Sequence, residues 1–210
     1  MSAPAYATTA QFRDFIKDTS LNDAVPIATI LLSASRDVEK ICGRAFYQPD
    51  TPTVQYFSPA RNSPWVLDLD DMDLATTDGL VVAVQWSNGG NYAETWSLGT
   101  DYIAEPVNQS VNGIVGWPYT SLRSLAKIWP PRYADFYRDT VKVTATWGWP
   151  AVPDPVVQAT LMRAFELYKG GEAPFGVAGQ GDFGAIRVRD NPMVSSLLQP
   201  YKKQTTLLMA

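Results

Sequence analysis

Val141-Lys142-Val143-Thr144-Ala145-Thr146-Trp147, then Gly148-Trp149-Pro150-Ala151-Val152-Pro153, then Asp154-Pro155-Val156-Val157, is the stretch on which the reading of this chain turns. Its first part alternates. Val141, Val143, Ala145 and Trp147 are apolar and Lys142, Thr144 and Thr146 polar, the period of a strand with one buried face. Its last part has the grammar of a helix start: Asp154 as cap and Pro155 at the first helical position, where a missing amide hydrogen costs nothing. Val157, Leu161, Ala164, Phe165 and Tyr168 continue as an apolar stripe to Lys169, and Gly170-Gly171 is expected to stop the helix. The chain changes from β to α character at about residue 150.

Working backward, residues 53–147 read as short strands separated by turns. Candidates are 53–57, 65–69, 80–86, 92–97, 101–104, 125–129 and 140–147, with Asn88-Gly89-Gly90 marking a hairpin and Pro49 and Pro52 the upstream boundary. Before them the sequence is helical again. Thr8 and Gln11 have capping-box spacing ahead of Phe12, Phe15 and Ile16, predicting a helix around 9–17. Asp23 is expected to cap a longer helix with Pro26 in its first turn, an apolar stripe of Ile27, Ile30, Leu31, Ala34, Val38, Ile41 and Cys42, and Gly43 at its exit. Working forward, glycines 176, 179, 181 and 184 suggest a loop. Asn191-Pro192 starts a last short helix to about Leu198, which Pro200 ends. The fold class is α+β. A helical core, 1–47 with 150–210, is interrupted by a β-rich insertion, 48–149, a small sandwich or barrel-like sheet.

Composition narrows the function classes. The chain has 210 residues, 46% of them hydrophobic and only 18% charged, with seven Trp, ten Tyr and eight Phe. Aromatics favour strands and also protein interfaces. The absence of histidine removes Ser-His-Asp and Cys-His nucleophiles and the usual zinc and iron ligand sets. One cysteine, Cys42, forms no intrachain disulfide and is expected to be a buried thiol. A net charge of −4 argues against a basic nucleic-acid grip. No run of 18 apolar residues suggests a membrane span, and the N-terminus does not read as a signal peptide, so the chain is expected to stay in the cytoplasm or enter a particle assembled there.

Three local patterns bear on chemistry. The acidic run Asp68, Asp70, Asp71, Asp73 and Asp78 fails the calcium-loop spacing, since Met72 falls at position 5 and Asp73 where glycine belongs; a solvated acidic loop is expected. The glycines of 170–184 follow a helix and lack the lysine of a phosphate loop, so a loop that orders on a partner is expected. Arg187, Arg189, Lys202 and Lys203 give the C-terminal quarter positive character, a solvated surface by default and otherwise a contact for an acidic partner or for the phosphates of DNA.

A series of blocks runs along the chain: Tyr6-Ala7-Thr8; Leu31-Leu32-Ser33-Ala34-Ser35-Arg36 with Glu39-Lys40-Ile41-Cys42-Gly43-Arg44-Ala45-Phe46-Tyr47; Leu67-Asp68-Leu69-Asp70-Asp71 with Thr77-Asp78-Gly79-Leu80; Trp147-Gly148-Trp149-Pro150 through Val152-Pro153 and Leu167-Tyr168-Lys169 to Pro174-Phe175-Gly176-Val177; and Asn191-Pro192-Met193-Val194 with Leu197-Leu198 and Pro200-Tyr201. In their order and spacing these blocks resemble the head-tail adaptor (connector) proteins of long-tailed bacteriophages. They span nearly the whole chain. The resemblance implies a structural virion protein of the neck, without catalysis, cofactor or metal. It implies a homo-oligomeric ring, typically of twelve copies, beneath the portal protein, with a downstream neck or tail-completion protein on its other face and DNA passing through the channel. The C-terminal part of such adaptors engages the portal, which makes Leu197, Leu198, Tyr201, Lys202 and Lys203 the candidate portal contacts. Subunit contacts are expected from the helices around Asp23–Gly43 and Asp154–Lys169 and from β-segment aromatics. Two other classes compete: a carbohydrate- or surface-binding β module using Trp86, Trp96 and Trp117, and a histidine-free hydrolase built on Asp70 or Asp71, for which no spacing speaks.

Overall fold

The computed structural model describes residues 3–17, 26–69, 72–87, 91–132, 139–172 and 191–203, without the side chains of 170–172. The chain forms two compact units. One joins the segment ending at Phe46 to the segment starting at Val152; the other runs from Tyr47 to Ala151.

In the helical unit, α1 (Thr9–Ile16) begins with the expected reciprocal cap: the Gln11 amide donates to Thr8 Oγ1 at 3.2 Å and Gln11 Oε1 accepts from the Thr8 amide at 2.8 Å. The second helix, α2 (Ile27–Cys42), starts later than the sequence suggested. Pro26 sits outside it with ψ 70°, and its carbonyl accepts from the Thr29 and Ile30 amides at 2.9 and 3.1 Å, so a proline carbonyl rather than a side chain closes the first turn. Asp23 lies outside the described residues. Gly43 ends α2 at φ +67°, its amide on the Glu39 carbonyl at 2.7 Å, a geometry that costs a β-carbon-bearing residue strain.

The third helix, α3 (Asp154–Glu172), corrects two expectations. Pro153 supplies the capping carbonyl, to the Val156 and Val157 amides at 2.9 and 3.1 Å, which puts Asp154 inside the first turn beside the free amides. The helix also passes through Gly170 and Gly171: glycine costs a helix only about 1 kcal/mol against alanine and keeps both backbone hydrogen-bonding groups. Asn191 Oδ1 then caps α4 (Pro192–Leu198) through the Met193 amide at 3.0 Å, and a 3₁₀ turn, Gln199–Tyr201, absorbs Pro200.

Phe12, Ile27, Leu31, Ala34, Leu161 and Ala164 form the shared core of α1, α2 and α3, with Phe15, Ile30, Val157 and Tyr168 against it. Phe165, placed on the stripe by its spacing, is more than a third exposed and touches Phe15 only edge-on at 6.3 Å. Tyr6 gives its motif a structural meaning. Its amide donates to Ser35 Oγ at 3.0 Å, its hydroxyl donates to Glu39 Oε1 and accepts from the Phe46 amide at 2.8 Å, and its ring begins an edge-to-face chain through Phe46 to Tyr201.

The β unit contains strands β1 (Thr53–Phe57), β2 (Val66–Asp68), β3 (Val81–Val84), β4 (Glu94–Trp96), β5 (Tyr102–Glu105), β6 (Ser110–Val111), β7 (Ile114–Val115), β8 (Ser121–Ser124) and β9 (Val141–Ala145). They form antiparallel sheets ordered β1-β9-β3-β4 and β2-β8-β5, with β6-β7 a separate hairpin. Strand β9, the alternating stretch, is central: Val143 faces Gln55 on one side and Val82 on the other. Buried side chains of both larger sheets, among them Phe57, Val82, Trp96, Val141 and Val143 from one and Leu67, Tyr102 and Leu122 from the other, join one apolar cluster as in a small sandwich.

The strand expected at 125–129 does not form. Leu125 and Ile128 are exposed, and Trp129 is fully buried from a non-strand segment anchored by its amide on the Pro64 carbonyl at 2.9 Å. The strand is Ser121–Ser124, just upstream, and the β6–β7 hairpin is new. Strands β3 and β4 pair as the hairpin signal implied, Val82 opposite Trp96, while Asn88-Gly89-Gly90 lie outside the described residues.

Candidate functional site

Helix α4 is bound to its neighbours by a short polar chain. Arg163 of α3 donates to Glu166 Oε2 at 2.7 Å and to Asp37 Oδ2 of α2 at 3.1 Å, and the Asn191 side-chain amide donates to Glu166 Oε1 at 2.8 Å. Beside this chain lies a cleft of about 110 Å³, lined by Ile41, Arg163, Asn191, Val194, Ser195 and Lys202. The Lys203 amide donates to the Cys42 carbonyl at 2.9 Å, so the segment after α4 runs back along the exit of α2. Cys42 is buried there as expected. Burial pushes its thiol up to about 11, against the pull of the Arg44 and Lys202 charges nearby.

The candidate portal residues fall into two groups. Leu198 and Tyr201 are buried in the helical unit, whereas Leu197, Lys202 and Lys203 are partly exposed. Met193, part of a matching block but not among the candidate portal contacts, is the most exposed large apolar side chain of this segment. Its exposure is not legible in the sequence, because a methionine in the first turn of a short helix reads equally well as core. Arg187, Arg189 and the glycine-rich stretch from 176 lie outside the described residues.

Leftover apolar surface is distributed differently from the sequence expectation. The stripes of α2 and α3 are largely covered within the chain; the exposed large apolar residues among the described ones lie mostly in the β unit, including Val54, Tyr56 and Val81 on the outer face of the four-stranded sheet, and Val107 and Val115 around the β6–β7 hairpin. Trp86 is the exception among the three tryptophans proposed for sugar stacking. Trp96 and Trp117 are 3% and 7% exposed and belong to the interior, so only Trp86 could offer a face to a ligand. Its indole N–H is bound to Glu94 at 2.7 Å, and Lys127 lies over both Trp86 and Trp96 while pairing with Glu94. Those contacts hold the Glu94 carboxyl below its usual range, the Lys127 hydrogen bond foremost.

The acidic run is also not uniformly solvated. Asp73 turns inward: its carboxylate accepts from Trp149 Nε1 at 2.9 Å and its carbonyl from the Gly148 amide at 2.6 Å. Asp68 and Asp78 are exposed, and Asp70 and Asp71 lie outside the described residues. Among the described residues no group of three His, Cys, Asp or Glu side chains could hold a metal ion, and no helix is long and apolar enough to cross a membrane.

No family model matches the sequence, and no curated protein does. Solved structures do. A chain of the virion of the native gene transfer agent (GTA) particle is similar with a TM-score of 0.54 at 17% identity, covering 99% of this chain and 95% of that one. Chains in the neck of the empty GTA particle, computed with C6 symmetry, and in the neck of the native GTA particle, computed with C12 symmetry, each give 0.53 at 16% identity. The first of these covers 99% of this chain and 95% of that one, the second 94% and 89%. The likeness is one of fold, and it extends over helical and β units alike.

Proposed function

We propose that this chain is a structural subunit of a particle neck, a head-to-tail adaptor that assembles as a ring, with twelve copies the expected number, beneath a portal protein and joins it to the next neck or tail-completion protein. The observation that carries the reading is the fold shared over nearly the full length with chains from the neck of a GTA particle, one of them solved with twelvefold symmetry. The helical unit serves as the adaptor core and the β unit as an insertion into it. A ring closes through heterologous contacts, which need two different faces on every copy. The polar surface around α4 and the exposed apolar surface of the β unit are two such faces.

On this reading the subunit acts without catalysis, works within the virion, and lets DNA pass with little adhesion, because an acidic chain offers phosphate few counter-charges. The segment 191–203 docks on the portal through the side of it that does not line the cleft. Leu198 and Tyr201 anchor it on the helical unit; Met193 is exposed, Leu197 and Lys203 are partly exposed, and Lys202 borders the cleft. Arg187 and Arg189 are proposed for the DNA channel or an acidic partner.

Electron microscopy of the purified full-length chain, alone and with portal rings, tests the proposal. Rings with a central hole that stack coaxially on the portal are expected. A Leu197→Asp, Lys203→Glu variant is expected to form the ring and lose the stacking. A chain that neither forms rings alone nor decorates portal rings refutes the adaptor reading.

A further inference from the structure

The two units differ in charge: the helical unit carries eleven Lys and Arg against ten Asp and Glu, the β unit six against eleven. Among the described residues, the cleft beside α4 has donors with no acceptor. Arg163 Nε is buried without a partner, and neither the Ser195 hydroxyl nor the Lys202 ammonium is held by another group among the described residues. Three donors lining about 110 Å³ suit a ligand that only accepts, an ionised carboxylate. They suit a polyphosphate backbone poorly, because the Arg163 charge is already balanced by Asp37 and Glu166 and Lys202 is left as the cleft's net cation. The β unit offers matching groups: Asp50, Asp68 and Asp78 are exposed, and no ion pair engages them among the described residues.

We infer that the cleft lined by Arg163, Ser195 and Lys202 is a subunit-contact site that receives an aspartate carboxylate from the β unit of a second copy of this chain. The contact is heterologous, cleft to carboxylate, so repetition generates a ring rather than a two-fold dimer. It rests on the ring reading above and adds which surfaces meet and by what chemistry.

The test is a charge swap in the full-length chain, read by mass photometry at low and high ionic strength. Lys202→Glu is expected to weaken subunit association about tenfold or more and, at a dilution where neither chain associates, to melt at the wild-type temperature, since a charge pair at an interface acts on association. One of Asp50→Lys, Asp68→Lys or Asp78→Lys is expected to weaken it similarly. Mixing that variant with Lys202→Glu is expected to restore rings, because each cleft then meets an opposite charge. Wild-type rings that Lys202→Glu leaves undiminished, or a Lys202→Glu defect that none of the three partners repairs, overturn the contact while the ring reading stands. Loss of retention on duplex DNA by Lys202→Glu, with rings intact, assigns the cleft to phosphate and overturns it as well. A wild-type chain that stays monomeric at every concentration and leaves portal rings undecorated removes the ring reading and this contact together; if it assembles only on portal rings, the same swaps are read there.

Discussion

The helical unit and the β unit solve opposite problems with opposite kinds of information. The individual helices of the helical unit are specified by short-range devices, even though they pack on one another across the chain: the reciprocal cap of Thr8 and Gln11, the left-handed Gly43 and the Asn191 cap each act within a few residues. The unit covers most of its apolar stripes internally. The β unit depends on partners far apart in sequence, Thr53 beside Ala145 and Asp73 beneath Trp149, and it leaves much apolar surface uncovered. Short-range signals place each helix, whereas the sheets form only when distant strands pair, and in the β unit that pairing leaves apolar side chains on the outside.

Substitutions that strike at long-range packing should therefore cost more than those that remove a local device. The largest effect is expected at Gly148→Ala. The residue holds φ +112°, and a β-carbon there would lie 1.9 Å from the Tyr47 carbonyl oxygen, so the β unit should lose about 4 kcal/mol or more in chemical denaturation. Next comes Trp129→Ala. Its ring is fully buried and stacked on Trp96 at 4.4 Å, and truncation should cost about 3–5 kcal/mol.

Tyr6→Phe removes an acceptor from the Phe46 amide and a donor from Glu39, and should cost about 1–3 kcal/mol. It also sharpens the comparison through pH. Burial first, and the Glu39 hydrogen bond second, push the Tyr6 hydroxyl well above its ordinary value of 10.0, while burial pushes Tyr102 in the β unit up to about 12. A folded value above the unfolded one means stability is intact below pH 10 and falls as pH climbs through the folded values. Alkaline titration followed by circular dichroism should show that fall, and both Tyr6→Phe and Tyr102→Phe should make it shallower. The smallest effect is expected from Thr8→Ala, about 1 kcal/mol for one lost cap. If calorimetry found it as costly as Trp129→Ala, the contrast between the two units would fail.

The errors in reading the sequence follow the same division. The three main helices were legible because spacing and punctuation act locally, and the mistakes there were small: Pro26 and Pro153 cap by their carbonyls, and the glycine pair does not stop α3. In the β unit, residues 125–129 have strand composition but lie next to the real strand, and Trp129 is buried as an anchor of irregular chain. Composition cannot tell a paired backbone from an anchored one. The cleft was invisible for the same reason, since Ile41, Arg163 and Lys202 come from separate stretches.

Sequence alone determined the α+β class, the Thr8–Gln11 cap, the Gly43 exit of α2, the alternation of β9 and the lack of histidine, because each is a property of neighbouring residues or of composition. Tertiary structure decided which apolar and charged side chains stay outside. Leu198, Tyr201, Trp96 and Trp117 went in, and Met193, Trp86 and Phe165 stayed at the surface. The physical reason is that exposure depends on what distant segments cover, and no pattern of period two or 3.6 records which segments those are.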